Sequence, residues 1–428
     1  MLYSSYELAY TAMTPYRYMA GIGAKFWRSP LNPMADTWFA RANAATLDLH
    51  EHALRRYPKP EWGLDATEID GVTVPITIET VDKKPFCNLI RFVREPKALE
   101  KATKSKTPQP RVLLVAPLSG HYATLLRGTV EALLPDHDVY ITDWINPRNV
   151  PITMGRFDLN DYIDYLIDDL RLIGPGAHAI AVCQPGPPLL AACAVMSEEN
   201  DPARPASMTF MGSPIDTRKS PTTPNVLAQQ RSYSWFANNM IYTVPAPYSG
   251  VMRRVYPGFV QLYSFLSMNS GRHLNAQYDY FQHLVEGDGD SADKHRSFYD
   301  EYLSVLDLTE EFYLQTIREV FQEHSLAEGK FMHRGQRVKL EAITDIALMT
   351  VEGENDDISG IGQTQAAHDL CVNIPSKMQL DYIQPKVGHY GVFNGSRWRN
   401  EIKPKLAAFI AKHDGADAKR APMKMAAE

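Results

Sequence analysis

The chain has 428 residues and a formal net charge of −6, from 44 lysine and arginine residues against 50 aspartate and glutamate residues. This mildly acidic, mixed charge excludes the basic footprint of a nucleic-acid-binding protein, so no nucleic-acid partner is expected. Hydrophobic residues make up 44% of the chain, which excludes a wholly disordered protein and allows a substantial core. At roughly 150 residues per domain, the length alone predicts two or three domains.

The start of the chain is a poor match to a signal peptide, because Glu7 comes early and no basic region precedes a clean apolar stretch. No run approaches about 18 uninterrupted apolar residues, so no membrane span is expected. The four cysteines are far apart and form no CxxC pair, which predicts neither a disulfide framework nor a metal site. They are Cys87, Cys183, Cys193 and Cys371. We therefore expect a cytoplasmic protein with reduced thiols.

Residues 1–60 are predicted to form an N-terminal helical extension that is rich in aromatic residues and is ended by two prolines. We expect this extension to pack on the main domain, and favour that over docking on another surface. Residues 72–80 and 86–93 are rich in β-branched or apolar residues and predict two strands, the antiparallel start of a larger sheet. Residues 97–110 are polar and lysine-rich, with two prolines, and predict a surface loop.

After this loop, six short apolar runs are separated by helical stretches. Apolar runs without alternation indicate strands of a parallel sheet that is covered by helices on both faces. The sequence therefore predicts an α/β fold with a mostly parallel central sheet. The runs are 112–116, 139–142, 179–182, 208–211, 346–351 and 378–383, and the helix candidates are 123–134, 158–173, 187–197, 364–371 and 401–413.

Residues 217–340 interrupt the alternation and contain no convincing buried strand. They predict a helical cap inserted over the carboxyl ends of the strands, where open α/β sheets place their sites. The core would then consist of residues 61–216 and 341–413, and the polar residues 414–428 would form a flexible tail. Two interpretations of the cap's many aromatic and methionine side chains stay open: its own core or a dimer interface, and docking on an apolar surface.

Cys183 follows the apolar run 179–182 directly and is followed by a small-residue turn into a helix. This is the pattern of a nucleophile elbow, in which a sharp strand-to-helix turn presents one side chain. Ala181 and Pro185 stand where the usual G-x-nucleophile-x-G has glycines, although Gly186 comes one step later. The helix N-terminus would stabilise a thiolate. The alternative is an inert buried thiol, the usual state of a free cysteine.

A nucleophile at such an elbow is followed, later in the chain, first by an acid and then by a histidine. Both residue types follow Cys183 in that order. Asp356 stands just past the fifth predicted strand in a G-x-x-D turn and is favoured over the competing carboxylates of Asp357 and Glu354. His389 follows the sixth predicted strand between two nearby glycines, which suits an exposed loop. Three separate loop positions therefore agree on a Cys–Asp–His triad.

Two backbone N–H groups are expected to form an oxyanion hole for this triad. The first belongs to Gln184, just after the nucleophile. The second comes from the loop after the first core strand, with Leu118 and Ser119 as candidates. His121 is a candidate pocket residue, with a packed or hydrogen-bonded role as the alternative. The remaining candidates for the pocket wall are Tyr122, Trp144 and Tyr390.

Five stretches of the sequence resemble the intracellular poly(3-hydroxybutyrate) depolymerases, over nearly the whole chain. They are APLSGHYATLLRGTV (116–130), YITDWINPRNVP (140–151), AVCQPGPPLLAA (181–192), VEGENDDISG (351–360) and VGHYGVFNGSRW (387–398). The chain is also distantly similar to polyhydroxyalkanoate synthases, which share the D-W-x-N-P stretch and a catalytic cysteine. Synthases have glycines around that cysteine, so Ala181 and Pro185 favour a depolymerase.

The resemblance implies an α/β-hydrolase in which Cys183 is the nucleophile, Asp356 the acid and His389 the base. It further implies cleavage of stored polyester on granules in the cytoplasm, through a thioester that water or coenzyme A resolves, with no required cofactor. A synthase-like acyltransferase and a non-catalytic granule-binding protein are the alternatives, and another ester hydrolase on the same fold is a third. A homo-oligomer stays open.

Overall fold

The computed structural model describes residues 2–268, 270–286 and 288–415. Within these ranges the central sheet has nine strands in the order β1-β2-β3-β5-β4-β6-β7-β8-β9. The six strands from β5 to β9 in this order run parallel, and β1 to β3 extend one edge antiparallel. The strands are β1 Ala66–Ile69, β2 Val72–Lys83, β3 Cys87–Arg94, β4 Arg111–Val115, β5 Asp138–Trp144, β6 His178–Val182, β7 Ser207–Met211, β8 Ala347–Gly353 and β9 Gln379–Gln384.

The six apolar runs in the sequence all form strands of this sheet, which confirms the predicted α/β fold. Every residue of β6, β7 and β8 is buried, as expected for parallel strands covered on both faces. The register pairs Val182 with Met211, and Met211 with Val351. The residues that follow these three strands therefore emerge side by side at one edge of the sheet.

Helices cover the sheet, and further helices form the N-terminal extension and the insertion. The N-terminal helices are α1 Leu2–Ala12, α2 Thr14–Trp27 and α3 Trp38–Leu54. The sheet is flanked by α4 Pro96–Thr103, α5 Arg127–Leu133, α6 Leu159–Ile173 and α7 Gly186–Glu198. The insertion holds α8 Thr223–Gln230, α9 Tyr233–Asn239, α10 Gly258–Met268, α11 Ser270–Glu286, α12 Gly289–Tyr302 and α13 Glu310–Thr316. The chain then adds α14 Ala366–Leu370, α15 Gly395–Arg397 and α16 Lys403–His413.

Local signals in the sequence explain where α6 begins and ends. The Asp158 side chain accepts hydrogen bonds from the backbone N–H groups of Asn160 and Asp161, and the Asp161 carboxylate accepts one from the Asp158 N–H. This capping box satisfies N–H groups that have no partner inside the helix. Gly174 ends the helix with a φ of +90°, a conformation that favours glycine.

Helix α4 lies where the sequence predicted only a surface loop, and that prediction is wrong for residues 97–103. Pro96 occupies a first-turn position, where its missing N–H removes no hydrogen bond. The Glu95 side chain caps the helix by accepting from the N–H groups of Lys97 and Ala98. The lysine-rich composition concealed these two start signals.

The insertion is mainly helical but also contains short strands that the sequence did not indicate. Tyr242–Thr243, Arg254–Tyr256 and Leu308–Thr309 form a three-stranded antiparallel sheet. Strands of two or three residues are too short to show an alternating or continuous apolar pattern. Of the predicted tail 414–428, residues 416–428 lie outside the described residues.

The N-terminal extension packs on the insertion. Tyr3 is buried, and its hydroxyl donates to Asp307 at 2.7 Å, while the Tyr280 hydroxyl of α11 donates to Asp48 of α3 at 3.0 Å. Much of the extension nevertheless faces solvent with large apolar side chains. The exposed ones are Leu2, Tyr6, Leu8, Met13, Tyr16, Tyr18, Met19, Ile22, Phe26, Leu31, Met34, Trp38 and Phe39. No helix among the described residues is long and apolar enough to cross a membrane.

Trp144, a predicted pocket residue, lies instead in the core beneath the sheet edge. Its side chain is only 1% exposed, and the indole N–H donates to the Ala116 carbonyl oxygen at 2.8 Å. Its ring meets Tyr162 edge to face, with 4.5 Å between the ring centroids. The contacts hold the end of β5 against Ala116, just after β4, and against Tyr162 of α6.

Replacing Trp144 by phenylalanine should lower the free energy of unfolding by about 2–3 kcal/mol, because it removes a buried hydrogen bond and leaves a small cavity. Urea unfolding followed by circular dichroism measures this change. The matched control is Trp38→Phe at a side chain that is 71% exposed, where a change within about 0.5 kcal/mol is expected. Equal stabilities of the two variants would contradict the core assignment.

Candidate active site

Cys183 occupies a sharp turn between β6 and α7. Its backbone φ is +66°, a left-handed conformation that costs a non-glycine residue roughly 1–3 kcal/mol. The Cys183 N–H donates to the Met211 carbonyl at 2.8 Å, and the Gly186 N–H donates to the Cys183 carbonyl at 3.2 Å. A Cβ atom on Gly186 would lie 2.4 Å from the Ser213 Cβ, so only glycine fits there. This turn has the geometry of a nucleophile elbow.

His389 and Asp356 form a buried pair beside this turn. The Asp356 Oδ2 atom lies 2.8 Å from the His389 Nδ1 atom, and the other carboxylate oxygen accepts from the N–H groups of Ile358 and Ser359. His389 begins a 3₁₀ turn, His389–Val392, and its side chain is buried where the sequence suggested exposure. The structure thus brings Cys183, Asp356 and His389 together.

The two competing carboxylates lie elsewhere on the same turn. Glu354 is exposed and accepts a hydrogen bond from the backbone N–H of Lys386 at 2.8 Å. Asp357 is also exposed, whereas the Asp356 side chain has no exposed surface. Asp356 is therefore the carboxylate that orients His389.

The charges around His389 favour its protonated form. Burial by itself would lower the pKa of the imidazole, but the charges of Cys183 and Asp356 and hydrogen bonds to both raise that pKa well above its usual value. Because Nδ1 faces Asp356, the other ring nitrogen, Nε2, is the one available to Cys183.

The other three cysteines are buried in the core. Burial raises the pKa of each of their thiols, for Cys371 to about 12. Cys87 and Cys193 are likewise enclosed, whereas Cys183 is only half-buried. Cys183 is thus the cysteine with the access that a nucleophile requires.

One of the candidate oxyanion donors, the Leu118 N–H, meets the Gln184 side chain. The Leu118 N–H donates to the Gln184 Oε1 atom at 3.3 Å, so a carbonyl oxygen already meets this donor. Ser119 lines the cavity that opens around Cys183 and His389. Leu118 is the candidate whose N–H is seen to point at a carbonyl group.

A cavity of about 420 Å³ opens around Cys183 and His389. Its walls come from the carboxyl ends of the strands and from α8, α9, α10 and α13 of the insertion, and they are mainly apolar. The apolar lining includes Leu125, Leu227, Phe236, Met240, Tyr256, Leu308, Phe312, Tyr313, Ile317, Phe321 and Phe393. Such a space suits a substrate with little charge.

Two of the four candidate pocket residues line this cavity. His121 and Tyr390 form part of the wall, whereas Tyr122 and Trp144 lie outside it. The His121 Nε2 atom lies 3.0 Å from the Tyr302 carbonyl oxygen, and burial lowers its pKa to about 4. His121 is therefore neutral near pH 7. It both lines the pocket and makes a buried hydrogen bond, the two roles that the sequence left open. The Tyr122 side chain packs in the core within hydrogen-bonding reach of Asn146.

A larger cavity of about 810 Å³ lies between the N-terminal extension and the insertion. Its lining includes Arg55, Arg56 and Arg148 but none of the triad residues. Helix α10 stands between the two cavities: Gln261 lines the cavity around Cys183 and His389, and Leu262 lines the larger one. Among the described residues, no group of three or more histidine, cysteine, aspartate or glutamate side chains is arranged to hold a metal ion.

Sequence reasoning missed Glu352, which organises the loop beyond Asp356. Its buried carboxylate accepts hydrogen bonds from the N–H groups of Gly362, Thr364 and Gln365. Three N–H donors on one carboxylate fix this loop against the end of β8. A charged residue inside a buried strand was the available signal, because buried carboxylates require partners.

The strand order and the elbow define the protein as an α/β-hydrolase. Residues 212–414 match the family model described as PHB de-polymerase C-terminus, and this segment contains Asp356 and His389. Poly(3-hydroxyalkanoate) polymerase subunit PhaC of Haloferax mediterranei is 22% identical over 331 residues. That alignment covers 76% of this chain and 63% of the relative, less than two thirds of its length. The chain is thus similar to the PHB de-polymerase family over residues 212–414 and, more distantly, to a poly(3-hydroxyalkanoate) polymerase subunit, in agreement with the resemblance seen in the sequence.

Several solved structures are similar to this chain. A putative lipase from Acinetobacter baumannii AYE has 15% sequence identity and a TM-score of 0.39, covering 79% of this chain and 92% of that one. A soluble variant of monoglyceride lipase from Saccharomyces cerevisiae has 11% identity and a TM-score of 0.43, with 84% and 98% coverage.

Replacing Asp356 by asparagine should reduce kcat by roughly 10²–10⁴, because His389 loses the partner that fixes its tautomer and stabilises its charge. Hydrolysis of p-nitrophenyl butyrate by the folded variant measures the loss. Asp357→Asn changes the neighbouring exposed carboxylate and should leave kcat close to that of the wild type. A larger loss in the Asp357 variant would overturn the assignment of the acid.

Proposed function

We propose that this protein cleaves the ester bonds of stored poly(3-hydroxybutyrate) in the cytoplasm, with Cys183 as the nucleophile. The observation that carries the proposal is the elbow cysteine beside the His389–Asp356 pair, inside an apolar cavity of about 420 Å³. The family match of residues 212–414 supports a polyester as the substrate class.

The acylation step follows from the positions of these groups. The Cys183 sulfur attacks an ester carbonyl carbon while His389, oriented by Asp356, holds the thiol proton on Nε2. The carbon–sulfur bond forms, the ester carbon–oxygen bond breaks, and the departing alcohol oxygen takes the proton from His389. The product is a 3-hydroxyacyl thioester on Cys183.

The oxyanion of this step would be held by the backbone N–H groups of Gln184 and Leu118. The Leu118 N–H already donates to the Gln184 side-chain oxygen, which marks a position where a carbonyl oxygen can be held. A substrate oxygen would take the place of that side-chain oxygen. Preorganised donors of this kind each contribute roughly 10²–10³ in rate.

The thioester is then resolved by water or by the thiol of coenzyme A. Water would transfer a proton to His389 Nε2 and attack the acyl carbon, so that the carbon–sulfur bond breaks and a free hydroxy acid leaves. Coenzyme A would react in the same way through its sulfur and leave as a hydroxyacyl thioester. In this proposal coenzyme A is a co-substrate, and no resident cofactor takes part.

The exposed apolar side chains support a granule surface as the form of the substrate. They are denser in the N-terminal extension than in the insertion, which also exposes Met252, Tyr263 and Tyr278. Helices α1 and α2 contain only three charged residues, Glu7, Arg17 and Lys25. An uncharged polyester surface matches this composition better than an anionic lipid surface, which attracts clusters of basic residues.

A synthase-like acyltransferase is the second candidate, because the curated relative is a polymerase subunit. Ala181 and Pro185 around Cys183 favour the depolymerase, as the sequence indicated. Incubation with radiolabelled hydroxybutyryl-coenzyme A distinguishes the two: labelled polymer would support the synthase, and its absence alongside shrinking granules the depolymerase.

Replacing Cys183 by alanine should reduce release of soluble products from amorphous poly(3-hydroxybutyrate) granules to background, because no acyl-enzyme can form. Co-sedimentation with the granules should persist, since the apolar extension is unchanged. Chromatography of the products with and without coenzyme A identifies the acceptor: hydroxybutyryl-coenzyme A indicates thiolysis, and free acid alone indicates hydrolysis.

The control for this experiment is Cys193→Ala, which removes a fully buried thiol from α7 and should retain turnover. Polymer loss that is unchanged in the Cys183 variant would overturn the proposed catalytic role. Wild-type protein that binds granules without releasing products would instead identify a non-catalytic granule-binding protein.

A further inference from the structure

Two side-chain carboxamides in the catalytic cavity have a nitrogen without a hydrogen-bond partner. The Nε2 atoms of Gln184 and Gln261 are both buried and unpartnered, and the two residues are only 8% and 4% exposed. A buried donor without a partner costs roughly 1–3 kcal/mol, so such groups are rare in native proteins. Their presence in the catalytic cavity indicates that a ligand supplies the acceptors.

The cavity contains further donors of the same kind. The hydroxyl groups of Thr316 and Ser359 also line it, are buried, and have no hydrogen-bond partner. A polyester backbone carries carbonyl and ester oxygens that accept hydrogen bonds, and it offers no donors between its ends. An apolar cavity with unpartnered donors is therefore chemically complementary to such a chain.

The Gln261 side chain lies against the loop that follows β4. A Cβ atom on Gly120 would lie 2.7 Å from the Gln261 Oε1 atom, so the carboxamide reaches the Gly120 backbone only because no side chain stands there. Gly120 also has a φ of +111°, which favours glycine. The same loop carries Leu118, the proposed oxyanion donor, and His121.

Helix α10, which carries Gln261, is anchored at its first residue, Gly258. The Gly258 N–H donates to the buried Asp307 carboxylate at 2.8 Å, and Asp307 also accepts from the Tyr3 hydroxyl. A Cβ atom on Gly258 would lie 2.8 Å from the Leu306 carbonyl oxygen, so the start of α10 closely approaches the segment that precedes the strand Leu308–Thr309. The backbone of Gln261 is thus anchored next to the loop that carries Leu118.

We propose that the Gln261 carboxamide donates a hydrogen bond to the ester carbonyl of a monomer unit adjacent to the one being cleaved. Gln261 is then a specificity-determining residue that recognises a chain of repeated esters in preference to a single ester. This inference rests on the proposed function, because it takes Cys183 as the position of the scissile carbonyl.

The test compares a substrate with several ester carbonyls and one with a single carbonyl. The probes are the methyl ester of the linear 3-hydroxybutyrate tetramer and p-nitrophenyl butyrate. In Gln261→Met, which keeps an unbranched side chain of similar length without the donor, the ratio of kcat/KM for the tetramer to kcat/KM for p-nitrophenyl butyrate should fall about tenfold, the size of one net hydrogen bond. The loss should fall mainly on KM for the tetramer.

The control is Gln282→Leu on α11, which changes a glutamine that does not line the catalytic cavity and should keep the wild-type ratio. If Gln261→Met does not fold by circular dichroism, Gln261→Leu replaces it with the same expectation. A wild-type ratio in a folded Gln261 variant overturns the inference. Failure of the proposed function is distinguishable, because wild-type protein would then cleave p-nitrophenyl butyrate but leave both tetramer and granules intact.

Discussion

The backbone conformation of Cys183 is the constraint on which the rest of the site depends. A φ of +66° is unfavourable for cysteine, and the fully buried strands β6 and β7 hold it there through the hydrogen bond to Met211. The same register places the ends of β6, β7 and β8 side by side. Asp356 therefore emerges close to the elbow, and the parallel β9 brings His389 to the same edge.

The insertion converts this open sheet edge into an enclosed apolar cavity. His389 is buried at this edge, and the charges of Cys183 and Asp356 raise the imidazole pKa against the effect of that burial. The N-terminal extension contacts this insertion through Tyr3 and Asp48. If the N-terminal extension binds an apolar surface, that surface would contact a segment that packs directly on the insertion.

Patterns that depend on sequence neighbours were predictable, and those that depend on distant packing were not. The apolar runs revealed the parallel strands because burial on both faces leaves a continuous apolar run. The elbow followed from the strand, cysteine and small residues in succession. Nothing near Trp144 in sequence distinguishes a core position from a pocket wall, since Ala116 and Tyr162 come from other elements. The position of Gln261 was equally unpredictable, because the loop at Gly120 that it contacts is 141 residues away in the chain.

The central claim is that Cys183 carries the acyl group, and it is tested most directly by trapping that intermediate. The wild-type protein is mixed with the methyl ester of the 3-hydroxybutyrate tetramer, quenched in acid within the first turnover, digested and analysed by mass spectrometry. A hydroxyacyl group bound through a thioester to the peptide containing Cys183 is the predicted result. Turnover with an acyl group on another residue, or with no acylated peptide at any quench time, would contradict it.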